Sequence, residues 1–199
     1  MTGIAIIGQG GMARAHARAW SDVGLGDSVR YVCAPGVPLP IDDAPLARFV
    51  TGLDTVLADP DVDIVSICTP TPTHAELAIR CLEAGRNVLL EKPIALTLAD
   101  AHAIEEAAAC STGMLMVAHV VRFFDGYRAI RERGEAGTLG NVLAVRAERL
   151  SATPGPSSWW HDETKSGGVV VDFAIHDFDQ LNLFLGTPLM VSARRSRPD

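Results

Sequence analysis

An acidic residue and a histidine, Asp172 and His176, lie four positions apart in the last quarter of the chain. In an α-helix this spacing would place the carboxylate and the imidazole on a single face, and Asp179 would continue that face. Apolar residues at 174, 178, 181 and 185 predict a second stripe that buries the helix, and Gly186 predicts its end. We therefore predict a packed helix with an acid–histidine pair suited to proton transfer. The alternative is a hydrogen-bonded core histidine beside a carboxylate that serves the helix N-terminus.

The N-terminal segment has the pattern of a nucleotide-binding turn. An apolar strand that begins at Ile4 runs into Gly8-Gln9-Gly10-Gly11-Met12-Ala13, and a helical pattern follows. In this G-x-G-x-x-A turn the first glycine permits the tight bend, the second lets a pyrophosphate approach the backbone, and the alanine lets the helix pack close. The helix N-terminus supplies free N–H groups for phosphate. The pattern favours dinucleotide binding over another nucleotide or a methyltransferase-like turn.

Lysine is rare in this chain, where only Lys92 and Lys165 stand among 17 basic residues. Arginine and lysine are not interchangeable, so a lysine kept among arginines is a candidate for a chemical role. Lys92 follows an apolar strand pattern over 87–90, at the carboxyl end where open α/β sheets bind their ligands. The sequence therefore favours function for Lys92 over compositional drift, and it leaves Lys165 open.

The composition, 48% hydrophobic and 21% charged, is that of an ordinary globular protein. The net charge of -7 and the lack of a basic cluster predict neither nucleic acid nor a membrane as partner. No apolar run is long enough to span a bilayer, and a strand at Ile4 leaves no room for a signal peptide, so we expect a cytoplasmic protein. The four cysteines lack C-x-x-C spacing, which predicts reduced thiols with no zinc site and no disulfide framework.

Strand and helix patterns alternate through the first part of the chain. Strands are predicted at 28–33, 48–51, 63–68, 87–91 and 115–119, with helices at 53–58, 75–84 and 98–110. This alternation predicts a Rossmann-type α/β domain with a doubly wound parallel sheet at 1–119. A helix at 124–135, a strand at 142–150, a loop at 151–158 and a strand at 189–193 follow. They predict a partial α/β domain with an open sheet at 120–199, which carries the helix with the acid–histidine pair.

Four motifs in this order resemble those of the Gfo/Idh/MocA oxidoreductases, the glucose-fructose oxidoreductase and inositol dehydrogenase family. They are the glycine turn, Cys68-Thr69-Pro70 with His74, Glu91-Lys92-Pro93, and Ser166-Gly167-Gly168 before Asp172 and His176. The resemblance runs from Ile4 to about Gly186. It implies an enzyme, a dehydrogenase that transfers hydride between NAD or NADP and a secondary alcohol of a sugar, an inositol or a related polyol.

The resemblance also implies roles for individual residues, and it implies no metal. Lys92, Asp172 and His176 would be the catalytic trio. His176 would act as base, Asp172 would hold the ring and a neighbouring hydroxyl, and Lys92 would stabilise the developing oxyanion. Weaker substrate candidates are Arg122, Tyr127 and Trp160, for which a surface salt bridge or simple packing is the alternative. The cofactor-binding candidates are Gly8, Gln9, Gly10, Gly11, Met12, Ala13, Cys68, Thr69, Pro70, His74, Glu91 and Lys92.

The chain departs from the usual nucleotide site after the second predicted strand. An NAD site usually has an acid about 20 residues beyond the glycines, where it binds the ribose 2′-hydroxyl. Here that strand ends in Cys33-Ala34-Pro35-Gly36, without an acid or an arginine. Arg30 lies inside the strand, and Arg48 lies beyond a proline-rich loop. The choice between NAD and NADP is therefore open.

The second departure is the length of the second domain, which in the family forms a broad open sheet. Residue 199 comes soon after the second predicted strand of that sheet, and two strands are marginal alone. An exposed apolar edge invites association, so a homo-oligomer through the C-terminal sheet is expected. The alternatives are a fragment, a truncated gene product and a chain completed by a partner, and we hypothesise an intact nucleotide site with impaired or lost turnover. The alternative function is a non-catalytic NAD(P)-binding protein, such as a sensor or an assembly subunit.

Overall fold

A six-stranded parallel sheet organises the first part of the molecule, in a computed structural model that describes residues 2–152 and 159–194. Its order, β3-β2-β1-β4-β5-β6, is the doubly wound order that reverses between β1 and β4. The predicted Rossmann-type fold is therefore confirmed. The strands are β1 Gly3–Ile7, β2 Val29–Cys33, β3 Arg48–Val50, β4 Val62–Ile67, β5 Asn87–Leu90 and β6 Leu115–Val117.

Helices cover both faces of this sheet. Alternate residues of β1 face opposite layers, because side chains along a strand alternate in direction. Ile4 and Ile6 pack with Ala13 and Ala17, whereas Ile7 belongs to the cluster on the other face. Full burial of one such isoleucine contributes roughly 1.5–3 kcal/mol to folding. The helices are α1 Gly11–Asp22, α2 Leu53–Leu57, α3 His74–Glu83 and α4 Leu98–Cys110.

The described residues divide into two compact units. The first unit comprises 2–118 together with 159–172, and the second comprises 119–152 together with 173–194. Besides the sheet, the first unit contains a 3-10 turn, Trp159–His161, and a short helix, α6 Glu163–Ser166. The second unit contains α5 Asp125–Glu135 and α7 Ile175–Leu185. The division into domains at 1–119 and 120–199 stays a prediction, because 159–172 packs with the first unit.

Two strands predicted in the second unit do not form. Residues 142–150 and 189–193 have no regular structure, so the expected open sheet is absent from the described part of this unit. A strand needs hydrogen bonds from a partner strand, and the alternating apolar residues of these segments find none. Leu143, Leu150 and Leu189 are almost fully exposed as a result. The predicted loop at 151–158 lies mostly outside the described residues.

The predicted continuous α-helix around Asp172 is also wrong. Val169–Phe173 forms a π-helical turn, and α7 begins only at Ile175. The four-residue spacing of an α-helical face therefore does not apply between Asp172 and His176. The predicted apolar stripe fails as well, because Phe178 is 44% exposed and the buried residues of α7 are Asp179 and Gln180. The helix ends at Gly186, as predicted.

No helix among the described residues is long and apolar enough to cross a membrane.

Candidate active site

The carboxyl ends of four strands finish at the same level, and we call this edge of the sheet the carboxyl rim. The first residue after each strand donates its backbone N–H to the last residue of a neighbouring strand. The loops that carry the predicted motifs therefore start side by side, which is where open α/β sheets bind ligands. The bonds run from Gly8 to Cys33 (2.8 Å), from Cys68 to Ile7 (2.8 Å), from Glu91 to Ile67 (3.0 Å) and from Ala118 to Leu90 (2.8 Å).

The glycine turn at this rim has the features of a phosphate cradle. Gly8 has a φ of +115°, and a Cβ there would lie 2.7 Å from the carbonyl oxygen of Cys68. A Cβ on Gly10 or Gly11 would meet nothing within 4 Å, so the space above these residues is open. Helix α1 begins here with no side-chain cap, and its first N–H groups are available to an anion. The turn fits the pyrophosphate of a dinucleotide.

Gln9 points away from this open space toward the loop after β2. Its side-chain nitrogen donates to the carbonyl oxygens of Pro35 and Val37, both at 3.2 Å. Its side-chain oxygen accepts from the Leu39 amide at 2.9 Å. The side chain therefore ties the glycine turn to the loop, and only the backbone of Gln9 is left for a ligand. Met12, half-exposed on the first turn of α1, also lies next to the glycines.

The loop after β4 is held by a fully buried histidine. The two ring nitrogens of His74 lie 2.9 Å from the carbonyl oxygens of Thr69 and Pro93, and so connect the loops that follow β4 and β5. The Thr73 hydroxyl donates to the Thr69 hydroxyl at 2.7 Å. Cys68 packs into the core, where burial raises the pKa of its thiol, so the segment offers the backbone of 68–70 and the Thr69 hydroxyl to a ligand.

Glu91 has a partner that the sequence analysis missed. The His16 side-chain nitrogen Nε2, on α1, lies 2.9 Å from Glu91 Oε1, and the side chains are 11% and 9% exposed. Glu91 Oε2 accepts the backbone N–H of Lys92 at 3.0 Å. One carboxylate thus links α1 to the backbone of the lysine. His16, one turn after Ala13 on the helix, was the residue that could have indicated this pair. A polar side chain that becomes partly buried there needs a partner.

Lys92, Asp172 and Trp160 are brought together in the first unit. The Lys92 ammonium donates to the Asp172 backbone oxygen at 2.9 Å and lies 3.2 Å from Asp172 Oδ1. The two side chains are only 17% and 5% exposed. The ammonium also lies 5.8 Å from the centre of the Trp160 ring, within range of a cation–π contact. A partly buried cation is thus held between a carboxylate and an aromatic face.

The Ser166-Gly167-Gly168 motif builds the turn that leads to Asp172. Both glycines have positive φ, and a Cβ on Gly167 would lie 2.7 Å from the Val171 side chain. The buried Ser166 hydroxyl donates to the Trp160 carbonyl at 3.1 Å and accepts the Gly168 amide at 3.0 Å. One serine therefore fixes the segment of Trp160 and the start of the π turn together.

The remaining predicted site residues belong to the second unit. His176 is the second residue of α7 and is half-buried. Arg122 donates two hydrogen bonds to the Asp179 carboxylate, which raises the pKa of the arginine. Arg122 thus forms the salt bridge that was the alternative to a substrate role. The Tyr127 hydroxyl accepts a long, 3.4 Å hydrogen bond from Arg149 and lines a cavity of about 560 Å³ in the same unit.

Family models match both parts of the chain. A model described as the oxidoreductase family with an NAD-binding Rossmann fold matches residues 2–119, and a GFO/IDH/MocA C-terminal domain model matches residues 127–199. The chain belongs to the Gfo/Idh/MocA oxidoreductase family. The resemblance predicted from the four motifs is therefore confirmed, and so is a nicotinamide cofactor at the level of the family. The choice between NAD and NADP is not decided by the match.

Individual members of the family are similar along most of the chain. An inositol 2-dehydrogenase of Rhizobium meliloti is 32% identical to this chain. The match covers 94% of this chain and 56% of the dehydrogenase. The structure of an oxidoreductase domain protein from Kribbella flavida matches with a TM-score of 0.83 at 32% identity, over 94% of this chain and 55% of that one. The structure of the WlbA dehydrogenase from Thermus thermophilus, in complex with NAD and UDP-GlcNAcA, matches with a TM-score of 0.77 at 26% identity. This match covers 98% of this chain and 67% of that one.

The chain spans about half the length of the curated relatives it matches, between 38% and 56%.

Proposed function

We propose that this protein is an NAD(P)-dependent dehydrogenase that oxidises a secondary alcohol of a sugar, an inositol or a related polyol. The observation that carries the proposal is the largely buried Lys92–Asp172 pair, whose lysine lies in the loop after β5, at the same carboxyl rim as the glycine turn. The substrate class is supported by the relatives, which include inositol 2-dehydrogenases and a levoglucosan dehydrogenase.

Lys92 is proposed to stabilise negative charge on the substrate oxygen. An ammonium has three N–H donors, and Asp172 accepts two hydrogen bonds from it. Among the described residues the third donor has no hydrogen-bond partner, so it could donate to an alkoxide. Since the side chain is only 17% exposed, its charge acts with little screening by water. A preorganised donor of this kind typically contributes a factor of about 10²–10³ in rate.

Asp172 is proposed to bind a neighbouring hydroxyl of the substrate. Its Oδ1 faces Lys92, whereas its Oδ2 is buried and has no hydrogen-bond partner among the described residues. A buried carboxylate oxygen without a partner is unusual, because nearly all buried polar atoms are satisfied. A polyol offers adjacent hydroxyl groups, one of which could donate to this oxygen while another reacts. This pairing would also orient the reacting carbon.

His176 is proposed to accept the hydroxyl proton. In this step the carbinol O–H proton goes to the imidazole, the carbinol hydrogen leaves with its electron pair, and the carbon–oxygen bond becomes the double bond of a ketone. The backbone of the glycine turn and of 68–70 would hold the dinucleotide, and the network of His16, Glu91 and His74 would keep the two loops in place. A nicotinamide held by these residues would supply the hydride acceptor.

The test measures turnover of myo-inositol, scyllo-inositol and levoglucosan by the purified chain, with NAD and with NADP. The absorbance of the reduced nicotinamide reports the turnover. We expect Lys92→Met to lower kcat/KM by about 10²–10³. The matched control is Lys165→Met, because Lys165 is 61% exposed and pairs only with the nearby Asp162. Oxidation of no polyol, or equal losses in the two variants, would refute the proposal.

His176→Ala separates catalysis from binding. Loss of a general base typically lowers turnover by about 10²–10⁴ without a change in nucleotide affinity. Equal nucleotide affinity with lost turnover supports the proposed role. Lost nucleotide affinity would instead assign His176 to the binding site.

A homo-oligomer through the C-terminal segments is also proposed. Leu189, Met190 and Val191 are nearly fully exposed, and so are Leu143 and Leu150. Large apolar side chains exposed at consecutive positions such as 189–191 favour an interface, because a contiguous apolar patch usually marks one. Light scattering across a concentration series tests it, and a chain that stays monomeric would contradict it.

A further inference from the structure

The loop after β2 presents no charge to the nucleotide site. Residues 34–41, all of them described, carry no ionisable side chain, and Cys33 before them is buried with a raised pKa. Gly36 has a φ of +86°, so the loop turns back at this point. In dinucleotide-binding folds, the residue after the second strand is where an acid accepts the ribose 2′-hydroxyl. Here that position is Ala34.

Gln9 fixes this neutral loop in place. Its amide makes hydrogen bonds with the backbone of Pro35, Val37 and Leu39, at 2.9–3.2 Å. Both polar atoms of the side chain are therefore used. The glycine turn, which would hold the pyrophosphate, and the loop, which would meet the adenosine ribose, are joined by a single uncharged side chain.

Arg30, Arg48 and Asp43 lie toward the amino ends of the strands, whereas Asp42 and Arg14 are exposed. Arg30 pairs with Asp59 at 2.9 Å. Arg48 is the first residue of β3 and lies 5.7 Å from the centre of the Tyr31 ring. The Asp43 carbonyl oxygen would lie 3.3 Å from a Cβ on Gly26, and Gly26 precedes the amino end of β2.

We propose that the site binds NAD and NADP with comparable affinity because the loop at 34–39 is neutral. This inference rests on the proposed nucleotide binding and deepens it. An acid at Ala34 would repel a 2′-phosphate, and an arginine would attract one, and the loop supplies neither of these usual discriminating charges. With neither, the ratio of the two dissociation constants stays within about tenfold.

The test is calorimetric titration of the full chain with NADH and with NADPH at the same ionic strength, since the extra phosphate makes binding salt-dependent. A ratio of dissociation constants below about tenfold supports the inference. A larger ratio in either direction overturns it while leaving the proposed nucleotide site intact. If a preference for NADPH disappears in Arg14→Gln, the exposed arginine on α1 is the discriminating charge and the inference falls. Binding of neither nucleotide overturns the proposed function together with the inference.

Two pairs of substitutions test the position of the loop. Ala34→Asp should weaken NADPH binding at least about tenfold relative to NADH, and Ala34→Asn, of equal size, should leave the ratio unchanged. Because Ala34 is only 4% exposed, Val37→Asp and Val37→Asn provide a second pair at a residue that is 79% exposed. If both aspartate variants fold and neither changes the ratio, the loop does not meet the ribose and the inference is wrong.

Discussion

Alanine substitutions at Gly8 and at Gly10 should have different effects. The first should affect the stability of the fold, and the second should affect nucleotide binding. Gly8 has a φ of +115°, and its added Cβ would lie 2.7 Å from the Cys68 backbone oxygen. A side chain forced into a positive-φ conformation costs about 1–3 kcal/mol, and overpacking against backbone costs about 1–3 kcal/mol more. Gly8→Ala should therefore lower the free energy of unfolding by about 2–6 kcal/mol, a large share of the stability of a typical domain.

Gly10 is the matched control for this change. Its φ of -80° and ψ of -165° suit any residue, and its added Cβ would meet no atom within 4 Å. Alanine at this N-cap position should cost less than about 1 kcal/mol of stability. Because the second glycine lets the pyrophosphate approach the backbone, the same methyl group should weaken nucleotide binding at least about tenfold.

Urea denaturation monitored by circular dichroism measures the first effect, and calorimetric titration with NADH measures the second. If the free energy of unfolding of Gly8→Ala lies within about 1 kcal/mol of that of the unsubstituted chain, the close approach of Gly8 to Cys68 is wrong. Gly10→Ala with unchanged affinity would show that the open space above the turn does not hold the pyrophosphate.

Three further predictions concern charge and thiol chemistry. Asp172→Ala should lower the free energy of unfolding by about 3 kcal/mol or more, because it leaves the Lys92 ammonium buried without its carboxylate. A double-mutant cycle with Lys92→Met that gives no coupling would count against the pair. The Asp59 carboxylate has a lowered pKa, first because it accepts the Asp61 amide, so its contribution to stability is complete at neutral pH and is lost as the pH falls below about 4. Asp59→Asn should flatten this acid limb in a pH series of melting temperatures, and an unchanged slope would contradict the assignment. Burial raises the pKa of three of the four thiols, so only the exposed Cys110 should react rapidly with a disulfide reagent in the native chain, and fast reaction of more than one thiol would contradict the packing.

The sheet and the motifs at its rim were predictable because they depend on local patterns. Apolar runs such as 63–68, glycines at fixed offsets and a helix end at Gly85 specify strands and turns without reference to distant residues. Lys92 was predicted as a site residue from the rarity of lysine and its place after a strand, and its ammonium lies 3.2 Å from the Asp172 carboxylate. The roles of both residues await experiment.

The parts that could not be predicted depend on partners remote in sequence or on an unusual backbone. The π turn at Val169–Phe173 follows two glycines of positive φ, and an α-helical period cannot anticipate it. The pair of His16 and Glu91 joins residues 75 positions apart. The alternating pattern at 142–150 has the period of a strand, but a strand forms only where another strand accepts its hydrogen bonds.

Because several strands end at the same level at the carboxyl rim, insertions near this edge of the sheet should be tolerated less well than insertions at the opposite edge. Inserting one residue into a strand shifts the following loop by about 3.3 Å and turns its side chains to the other face of the sheet. At the rim such a shift would break the bonds that Gly8, Cys68 and Glu91 make to neighbouring strands. The turns at the opposite edge, such as that around Gly24, carry no predicted site residue. A library of single-residue insertions should therefore separate the two edges, with folded, nucleotide-binding variants recovered almost entirely from the amino edge.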